Sequence, residues 1–423
     1  MRAGPRTLLC AVCACGSSIR IALSFCLAQT TPSPSMFRSA VCVAALVLAS
    51  CAVARAALSP EETLFVDTTS ASGARAHLQY YTSLAHVAGT PGDYQTAQYT
   101  LQQFTNAGIS AEIIPFKTLI NYPVSRSLTM TAPFEYNASL SEDIYPADPT
   151  SDTPWRNLTF HGYGASGDVT AEVVYVNYGS ADDFAYLASI GIDIAGKIAL
   201  VRYGQVFRGL KVQNAQYAGA VGCLIYSDPA DDGFTKGPVY DEGPWRPTSG
   251  VQRGSVQFLS RCSGDPGFVE RDPQICGGYT TDELIPKIPS LPLSYGDALP
   301  LLQSMSGVAP PPAWIGGLNV TYGLGVGPAT VRLFVNDTYE VGTLWNVVGT
   351  VSWHSSCAVC QHSGRWLSAD VVIARLLVCA QIPGTHSDPD VAKQQVILGN
   401  HRDAWVSHAH DTSNAALLQL AEL

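Results

Sequence analysis

A histidine and two aspartates near the carboxyl end of the chain have residue types and spacing that suit metal binding. His401 comes first, Asp403 follows two residues later, and Asp411 lies eight residues further on. Zinc accepts neutral imidazole nitrogens and carboxylate oxygens as ligands, and a carboxylate beside a histidine can hold its ring in one tautomer. The pattern therefore predicts half of a zinc site, with a solvated loop as the alternative that residue types alone leave open.

Short elements are predicted to position this cluster. The apolar residues 396–398 precede it and predict a buried strand, and residues 414–423 after it have the apolar spacing of a helix. The cluster falls just after the strand, where open α/β sheets bind their ligands. Further helices are predicted over 75–84, 93–107 and 212–220, and further strands over 109–116, 173–178, 197–201 and 221–226.

The sequence His-Arg-Asp-Ala-Trp-Val that begins at His401, with Asp411 after it, resembles the first metal segment of the co-catalytic zinc exopeptidases of the glutamate carboxypeptidase type. The resemblance implies that His401 binds one zinc ion and that Asp411 bridges two. It also implies that Asp403 is the catalytic-site carboxylate that orients the histidine. His408 and His410 match no ligand of that family and are interpreted as loop residues.

Three sequences in the middle of the chain are similar to the protease-associated (PA) domain of the same family. They are Gly-Lys-Ile-Ala-Leu-Val-Arg-Tyr-Gly from Gly196, Tyr-Ser-Asp-Pro-Ala-Asp from Tyr226 and Gly-Val-Gln-Arg-Gly from Gly250. The resemblance implies an α/β zinc-exopeptidase domain, truncated at its C-terminus, that a β-rich PA domain interrupts. The implied boundaries are 57–155 for the first part of the peptidase domain, 156–335 for the PA domain and 336–423 for the second part.

Arg202 lies in the first of these sequences and is the expected substrate-binding residue. In members that act on acidic dipeptides, an arginine at the matching position binds the terminal carboxylate of the substrate, which suits a planar bidentate donor. An arginine paired within its own domain is the alternative. The expected substrate is a peptide that loses a C-terminal residue, and its side-chain preference stays open because Trp245 or Arg246 stands where those members have an asparagine.

The resemblance places the general-base glutamate, its neighbouring glutamate ligand, a second aspartate and a last histidine beyond Leu423. This chain alone is therefore expected to be inactive, and the complete protein is expected to bind two zinc ions. A non-enzymatic, receptor-like protein of the same architecture is the alternative from another class. Such relatives have lost metal ligands, whereas this chain has both His401 and Asp411.

Residues 352–381 form an atypical insertion between two strands that the family joins by a short turn. The insertion contains Cys357 and Cys360 in a Cys-x-x-Cys pattern, with His354 and His362 nearby, which invites a zinc interpretation. Zinc ribbons need an order of strands and turns that this segment lacks. A retained intron or a surface loop is therefore the preferred interpretation.

Residues 1–56 contain two candidate starts, the second of which is Met36. From Met36 the sequence has a basic residue, an uncharged apolar stretch and an Ala54-x-Ala56 cleavage pattern, which predicts a secretory signal and a mature chain that begins near Ala57. The residues before Met36 are interpreted as a mis-assigned start. The expected location is the secretory pathway, extracellular or vacuolar, and the alternative is a type II membrane protein that keeps this segment as an anchor.

Secretion would permit disulfides and glycans. Cys262 and Cys276 bracket a loop rich in Gly, Pro and Asp and are the predicted disulfide pair. Sequons predict N-glycosylation at Asn137, Asn157, Asn319 and Asn336.

The charge balance limits the class of partner. Lysine and arginine total 24 against 34 aspartates and glutamates, which gives a net charge of −10 without long charged runs. That balance argues against nucleic acid as a partner. A homodimer remains open.

Overall fold

The computed structural model describes residues 63, 66–272, 274–350, 380–383, 395–396 and 399–405. Some predicted features lie outside the described residues, namely the signal segment, Asp411, His408, His410, the helix over 414–423, and residues 352–379 with their cysteines. Within the described ranges, no helix is long and apolar enough to span a membrane.

Two helices precede the first strand. The first, α1 (Ala71–Thr82), is capped by Ser70, whose hydroxyl accepts a hydrogen bond from the Gly73 amide. The second, α2 (Pro91–Asn106), starts with a proline, which costs no helical hydrogen bond at that position. It ends before Gly108, whose φ of +72° favours glycine. Both predicted helices are confirmed, although their ends differ by up to four residues.

A long antiparallel ribbon runs through the described fold. Strands β1 (Ser110–Ala132) and β9 (Thr330–Thr350) pair along their whole lengths, with register shifts after Pro123 and after Met130. The predicted strand over 109–116 is therefore wrong in length, because β1 lacks a regular apolar alternation beyond that point. One edge of β1 pairs with β9. Among the described residues, the other edge of β1 is hydrogen-bonded only near the C-terminal end of the strand, by β2 (Tyr136–Asn137). Proline is tolerated along such an edge because no neighbouring strand needs its missing N–H group.

A mostly parallel sheet extends from the ribbon. The strand order is β11 (Gln395–Val396), β10 (Ala380–Pro383), β9, β4 (Gly167–Tyr175), β5 (Ile198–Arg202), β6 (Gly222–Tyr226) and β8 (Ser290–Leu293). Strand β4 is antiparallel to β9 and parallel to β5. The strands of this region are β3 (His161–Gly162), β4 (Gly167–Tyr175), β5 (Ile198–Arg202), β6 (Gly222–Tyr226), β7 (Gly254–Ser255) and β8 (Ser290–Leu293). The helices are α3 (Ala181–Ser189), α4 (Arg208–Tyr217), α5 (Thr281–Leu284) and α6 (Tyr295–Gln303).

The central strands of this sheet are the ones that the sequence predicts. All residues of β5 and β6 are buried, as expected for strands with helices on their faces. The predicted helix over 212–220 is confirmed as α4, which begins and ends earlier than expected.

Two hydrophobic cores lie along the ribbon. The PA core contains β4, β5, β6 and β8 together with Leu128 and Met130 of β1 and Leu333 of β9. The small core consists of Ala97, Phe104, Ile109 and Val347, where α2 packs on the other end of the ribbon. We call residues 156–329, which hold most of the PA core, the PA region, and residues 71–106, which hold α1 and α2, the helical region. Because β1 and β9 contribute to both cores, the ribbon joins these two regions.

Two short strands lead to the predicted metal segment. Strand β10 (Ala380–Pro383) runs parallel to the end of β9, and β11 (Gln395–Val396) is antiparallel to β10. Val396 lies in a strand as predicted, while residues 397–398 are outside the described residues. Ala380 and Gln381, the last two residues of the insertion, belong to β10.

Candidate functional site

His401 and Asp403 lie together on the loop that follows β11. His401 Nδ1 is 2.9 Å from the Asp403 carbonyl oxygen and 3.5 Å from its carboxylate Oδ1. When Nδ1–H donates to Asp403, Nε2 carries the lone pair that a metal ion would use. Burial raises the pKa of Asp403, but the contact with His401 outweighs it, so that the pKa lies below its ordinary value. The two side chains are 49% and 43% exposed, which leaves both accessible to solvent.

Arg402, between these two residues, anchors the loop. Its guanidinium lies 2.7 Å from the Asp93 carboxylate and donates to the Trp345 carbonyl at 2.8 Å. It also donates to the Thr96 hydroxyl and to the Asp93 carbonyl. Asp93 is 2% exposed, and its second carboxylate oxygen accepts from the Gly89 amide at 2.9 Å. The loop is thereby tied to α2 and to β9 at once.

Ala404 and Trp405 extend the attachment of the loop. The Ala404 amide donates to the His86 carbonyl at 3.2 Å. The Trp405 ring packs edge-to-face against Phe160 with 5.4 Å between ring centroids, and it lies against Gly162, where a Cβ atom would collide with it. Since Gly162 is in β3, the loop contacts the PA region as well as the helical region.

Arg202 lies inside the PA region and is 3% exposed. Its Nη2 donates to the Ala313 carbonyl at 2.8 Å, and its Nε donates to Asn177 Oδ1 at 3.2 Å. Its Nη1 is 3.6 Å from the Asp231 carboxylate, and the guanidinium lies 4.0 Å from the Tyr178 ring centroid. Arg202 thus has partners within its own domain, and its contact with Asp231 is longer than those with Ala313 and Asn177.

The other predicted residues belong to the PA region and the ribbon. Cys262 and Cys276 are joined by a disulfide, with their Cα atoms 5.5 Å apart. The sequon asparagines are all exposed: Asn137, Asn157, Asn319 and Asn336. Arg246 is buried and pairs with Asp232 at 2.7 Å.

The donor set of the loop fits zinc in type. His401 and Asp403 supply an imidazole and a carboxylate, and a histidine whose second nitrogen is held by an oxygen is the usual form of a zinc ligand. Among the described residues, no group of three or more His, Cys, Asp and Glu side chains could hold a metal ion. The predicted third member, Asp411, lies outside those residues.

Two parts of the site's surroundings have no clear signal in the sequence. Asp93 has the pattern of an ordinary first-turn acid, which the helix dipole favours, and Gly162 belongs to no recognised motif. The one available signal is Arg402, because an arginine between two site residues needs an acidic partner if it is buried. The sequence does not say which of the many acids that partner is.

The fold and this loop define a class of protein. It is an α/β chain in which a PA domain lies, in sequence, between two helices and a candidate metal loop. The PA domain family model matches residues 169–259. A probable glutamate carboxypeptidase of Arthroderma benhamiae is 38% identical over 382 residues, which are 86% of this chain and 47% of that protein. A glutamate carboxypeptidase 2 homolog of Caenorhabditis briggsae is 34% identical over 380 residues, 84% of this chain and 44% of that protein.

The chain is thus similar to glutamate carboxypeptidases over most of its length, and its central region matches the PA domain. It spans about half the length of the curated relatives it matches. Among solved structures, an aminopeptidase from Aneurinibacillus sp. strain AM-1 is 20% identical with a TM-score of 0.37, covering 75% of this chain and 62% of that one. A likeness of that size does not define the fold.

Proposed function

We propose that the protein is a zinc-dependent exopeptidase that hydrolyses C-terminal residues of peptides, with His401 as a zinc ligand and Asp403 as its orienting carboxylate. The observation that carries the proposal is the position of His401 Nδ1, which lies 2.9 Å from the Asp403 carbonyl oxygen and 3.5 Å from the Asp403 carboxylate, on a loop that the Arg402 ion pair anchors. A zinc-binding histidine needs this arrangement, in which one ring nitrogen is held and the other is presented. The similarity to glutamate carboxypeptidases supports the class of reaction.

Each residue of the loop has a separate task in this proposal. His401 offers Nε2, and Asp403 keeps the ring in the required tautomer. Arg402 holds the loop before any ligand arrives, which lowers the ordering cost of binding. Asp411 is proposed as the carboxylate shared by two zinc ions. Bound zinc would polarise the scissile carbonyl and lower the pKa of a bound water.

Arg202 is proposed to recognise the terminal carboxylate of the peptide, and its position in the family sequence supports that role. In the described structure its guanidinium is already bonded to Ala313 and Asn177. The contact with Asp231 is longer, at 3.6 Å, and Asp231 is 34% exposed. A substrate carboxylate would therefore have to replace Asp231 rather than Ala313 and Asn177, whose contacts with Arg202 are shorter.

Passage through the secretory pathway, to the cell exterior or a vacuole, is part of the same proposal. Its support is the pattern that begins at Met36 and the exposure of all four sequon asparagines. A secreted exopeptidase would meet peptides, and no nucleic acid, as its substrates.

Zinc titration of the chain by calorimetry tests the proposed ligands. We expect His401→Ala to weaken zinc binding by at least about tenfold and Asp403→Asn to weaken it less, because the second change keeps the ligand and the Asp403 carbonyl and removes only the carboxylate charge 3.5 Å from Nδ1. The matched control is His77→Ala, since His77 lies in α1 and its Nδ1 contacts Tyr99 rather than the loop. Equal zinc affinity in His401→Ala and the unaltered chain would refute the assignment of the ligand.

Peptidase activity is tested on the protein extended to the length of its relatives. With zinc bound, the extended protein is expected to release C-terminal residues from peptides, and His401→Ala is expected to abolish that release. An extended protein that binds zinc and cleaves no peptide would support the alternative of a non-enzymatic binding protein.

A further inference from the structure

Asp228 is a buried aspartate in the turn that follows β6, and it is 0% exposed. Its carboxylate Oδ1 accepts from the Ala230 amide at 2.8 Å and from the Gly317 amide at 2.7 Å. Its Oδ2 accepts from the Tyr226 hydroxyl at 2.8 Å and from the Tyr322 hydroxyl at 3.0 Å. A carboxylate is tolerated inside a protein when its oxygens are bonded in this way, and the four donors fix its orientation.

Asp228 joins the turn after β6 to a distant segment, residues 313–317. The Asp228 carbonyl closes the turn by accepting from the amides of Asp231 and Asp232, both at 2.9 Å. The turn and the segment lie in direct contact, because a Cβ on Gly316 would collide with the Asp228 carboxylate and a Cβ on Gly317 would collide with the backbone of the turn. Asp228 is therefore the side chain that holds these two pieces of chain together.

The same two pieces supply acceptors to Arg202. Ala313, in the segment, accepts from Arg202 Nη2 at 2.8 Å, and Asp231, in the turn, lies 3.6 Å from Nη1. Arg202 Nε is bonded to Asn177 at 3.2 Å. Nε and Nη2 thus set the plane of the guanidinium, while Nη1 is directed at Asp231, whose side chain is 34% exposed.

We propose that Asp228 is a positioning residue for Arg202. It keeps Ala313 and the turn in place, so that Nη1 stays directed at the position where a carboxylate of the substrate binds. Recognition of a carboxylate by arginine depends on the orientation of the planar guanidinium, and an arginine that is already held loses less freedom on binding. The inference rests on the proposed role of Arg202. Asp228 itself is buried and acts only through these neighbours.

Asp297, in α6, offers a matched control. It is 4% exposed and, like Asp228, accepts from a tyrosine hydroxyl and from two backbone amides. These donors are Tyr136 at 2.8 Å, Ser139 at 2.8 Å and Leu140 at 3.1 Å. They belong to β2 and the residues after it rather than to the pieces of chain that hold Arg202. Removal of Asp297 therefore leaves buried donors unpaired, as removal of Asp228 does, without reaching Arg202.

The test is an NMR titration of the zinc-free chain with isotope-labelled arginine, in which Arg202→Lys identifies the Nε–H signal of Arg202. The two probes are N-acetyl-alanyl-alanine, which has a free C-terminal carboxylate, and its C-terminal amide. In the unaltered chain we expect the acid to bind at least about tenfold more tightly than the amide, the factor that one charge-assisted hydrogen bond provides. Asp228→Ala is expected to reduce this ratio to about threefold or less, because Nη1 is no longer held in one direction. Asp297→Ala is expected to leave it unchanged.

Equal ratios in Asp228→Ala and Asp297→Ala, with both variants shown to be folded by urea denaturation, overturn the inference. Equal binding of the acid and the amide by the unaltered chain overturns it together with the proposed role of Arg202. Cleavage plays no part in the measurement, so a failure of peptidase activity is a separate result.

A milder pair of variants decides the question if Asp228→Ala does not fold. Tyr322→Phe removes one donor to Asp228, and Tyr136→Phe removes one donor to Asp297. The acid-to-amide ratio is expected to fall by at least about twofold in Tyr322→Phe, where one of four bonds to the carboxylate is lost, and to stay unchanged in Tyr136→Phe. Equal ratios in these two variants likewise overturn the inference.

Discussion

The ion pair of Arg402 and Asp93 is the contact that fixes the candidate metal loop. Its side chains are 14% and 2% exposed, so removal of one partner leaves a charge that water cannot fully solvate. Arg332 and Asp168 make a pair of similar distance, 2.6 Å, whose side chains are 55% and 45% exposed. The chain therefore offers a buried pair and an exposed control pair.

We predict that Arg402→Ala lowers the free energy of unfolding by about 3 kcal/mol, because it leaves the buried Asp93 carboxylate unpaired. Arg332→Ala is predicted to leave the free energy of unfolding nearly unchanged, since water screens the exposed pair. Guanidinium denaturation of both variants measures the difference. Asp93→Asn in the Arg402→Ala background is expected to recover part of the loss, and equal losses in the two single variants would contradict the prediction.

Asp337, in β9 where the ribbon meets β3 and β4, should give the stability of the chain a dependence on pH. Burial raises its pKa from 3.8 to about 6, and the contacts with Asn121 and Arg126 only partly oppose this. The folded state thus holds a proton that the unfolded state releases near pH 4. Between about pH 4 and pH 6, stability from this residue is lost as the pH rises.

We predict that the free energy of unfolding of the unaltered chain, relative to Asp337→Asn, falls by about 2 kcal/mol between pH 4 and pH 6. Asparagine keeps an oxygen for the Asn121 amide, which donates to Asp337 at 3.0 Å, but does not titrate. Urea denaturation at a series of pH values gives both curves. Parallel curves for the two proteins would show that folding does not raise the pKa of Asp337.

At the scale of elements, the metal loop and β3 meet through Trp405 and Gly162. A Cβ on Gly162 would collide with the indole ring, so the loop can lie there only because position 162 has no side chain. The backbone of Gly162 does not adopt a positive φ, and alanine would therefore be tolerated if the ring were absent.

We predict that Gly162→Ala destabilises the chain by about 1–3 kcal/mol through overpacking against Trp405. In the Trp405→Ala background the same substitution is predicted to cost less than about 1 kcal/mol, since the two positions are coupled only by this contact. A double-mutant cycle by chemical denaturation measures the coupling. Additive effects would mean that the loop does not rest on β3 in solution.

At the scale of the whole molecule, the two cores differ greatly in size. The PA core extends over four strands of the sheet, whereas the small core has four fully buried residues, Ala97, Phe104, Ile109 and Val347. Local stability follows the amount of buried apolar surface, so one end of the ribbon is expected to open more easily than the other.

We predict that native-state hydrogen exchange is at least about tenfold faster for the amides of residues 110–116 and 344–350 than for those of β5 and β6, which corresponds to ~1.4 kcal/mol in opening free energy. The comparison uses peptides from a single exchange experiment, so β5 and β6 are the internal reference. Equal protection at both ends would indicate that β1 and β9 make the two cores open as one unit.

The sequence alone determined the features that depend on neighbouring residues. Apolar spacing predicts α1, α2 and α4, and β-branched runs predict β4, β5 and β6, because period and propensity are local properties. The similarity to glutamate carboxypeptidases and the PA domain were also accessible, since sequences such as that from Gly196 are long and specific. The sequence also predicted that His401 and Asp403 are neighbours, because they are only two positions apart in the chain.

Only the tertiary structure decided the length of the ribbon and the attachment of the metal loop. Strand β1 continues past Phe116 because β9 supplies hydrogen bonds along its length, and no local pattern reports a partner more than 200 residues away. The pairing of Arg402 with Asp93 joins positions 309 residues apart. Many acidic residues in the sequence have the charge and size to pair with Arg402. The packing of α2 against β9 is what brings Asp93 and Arg402 together.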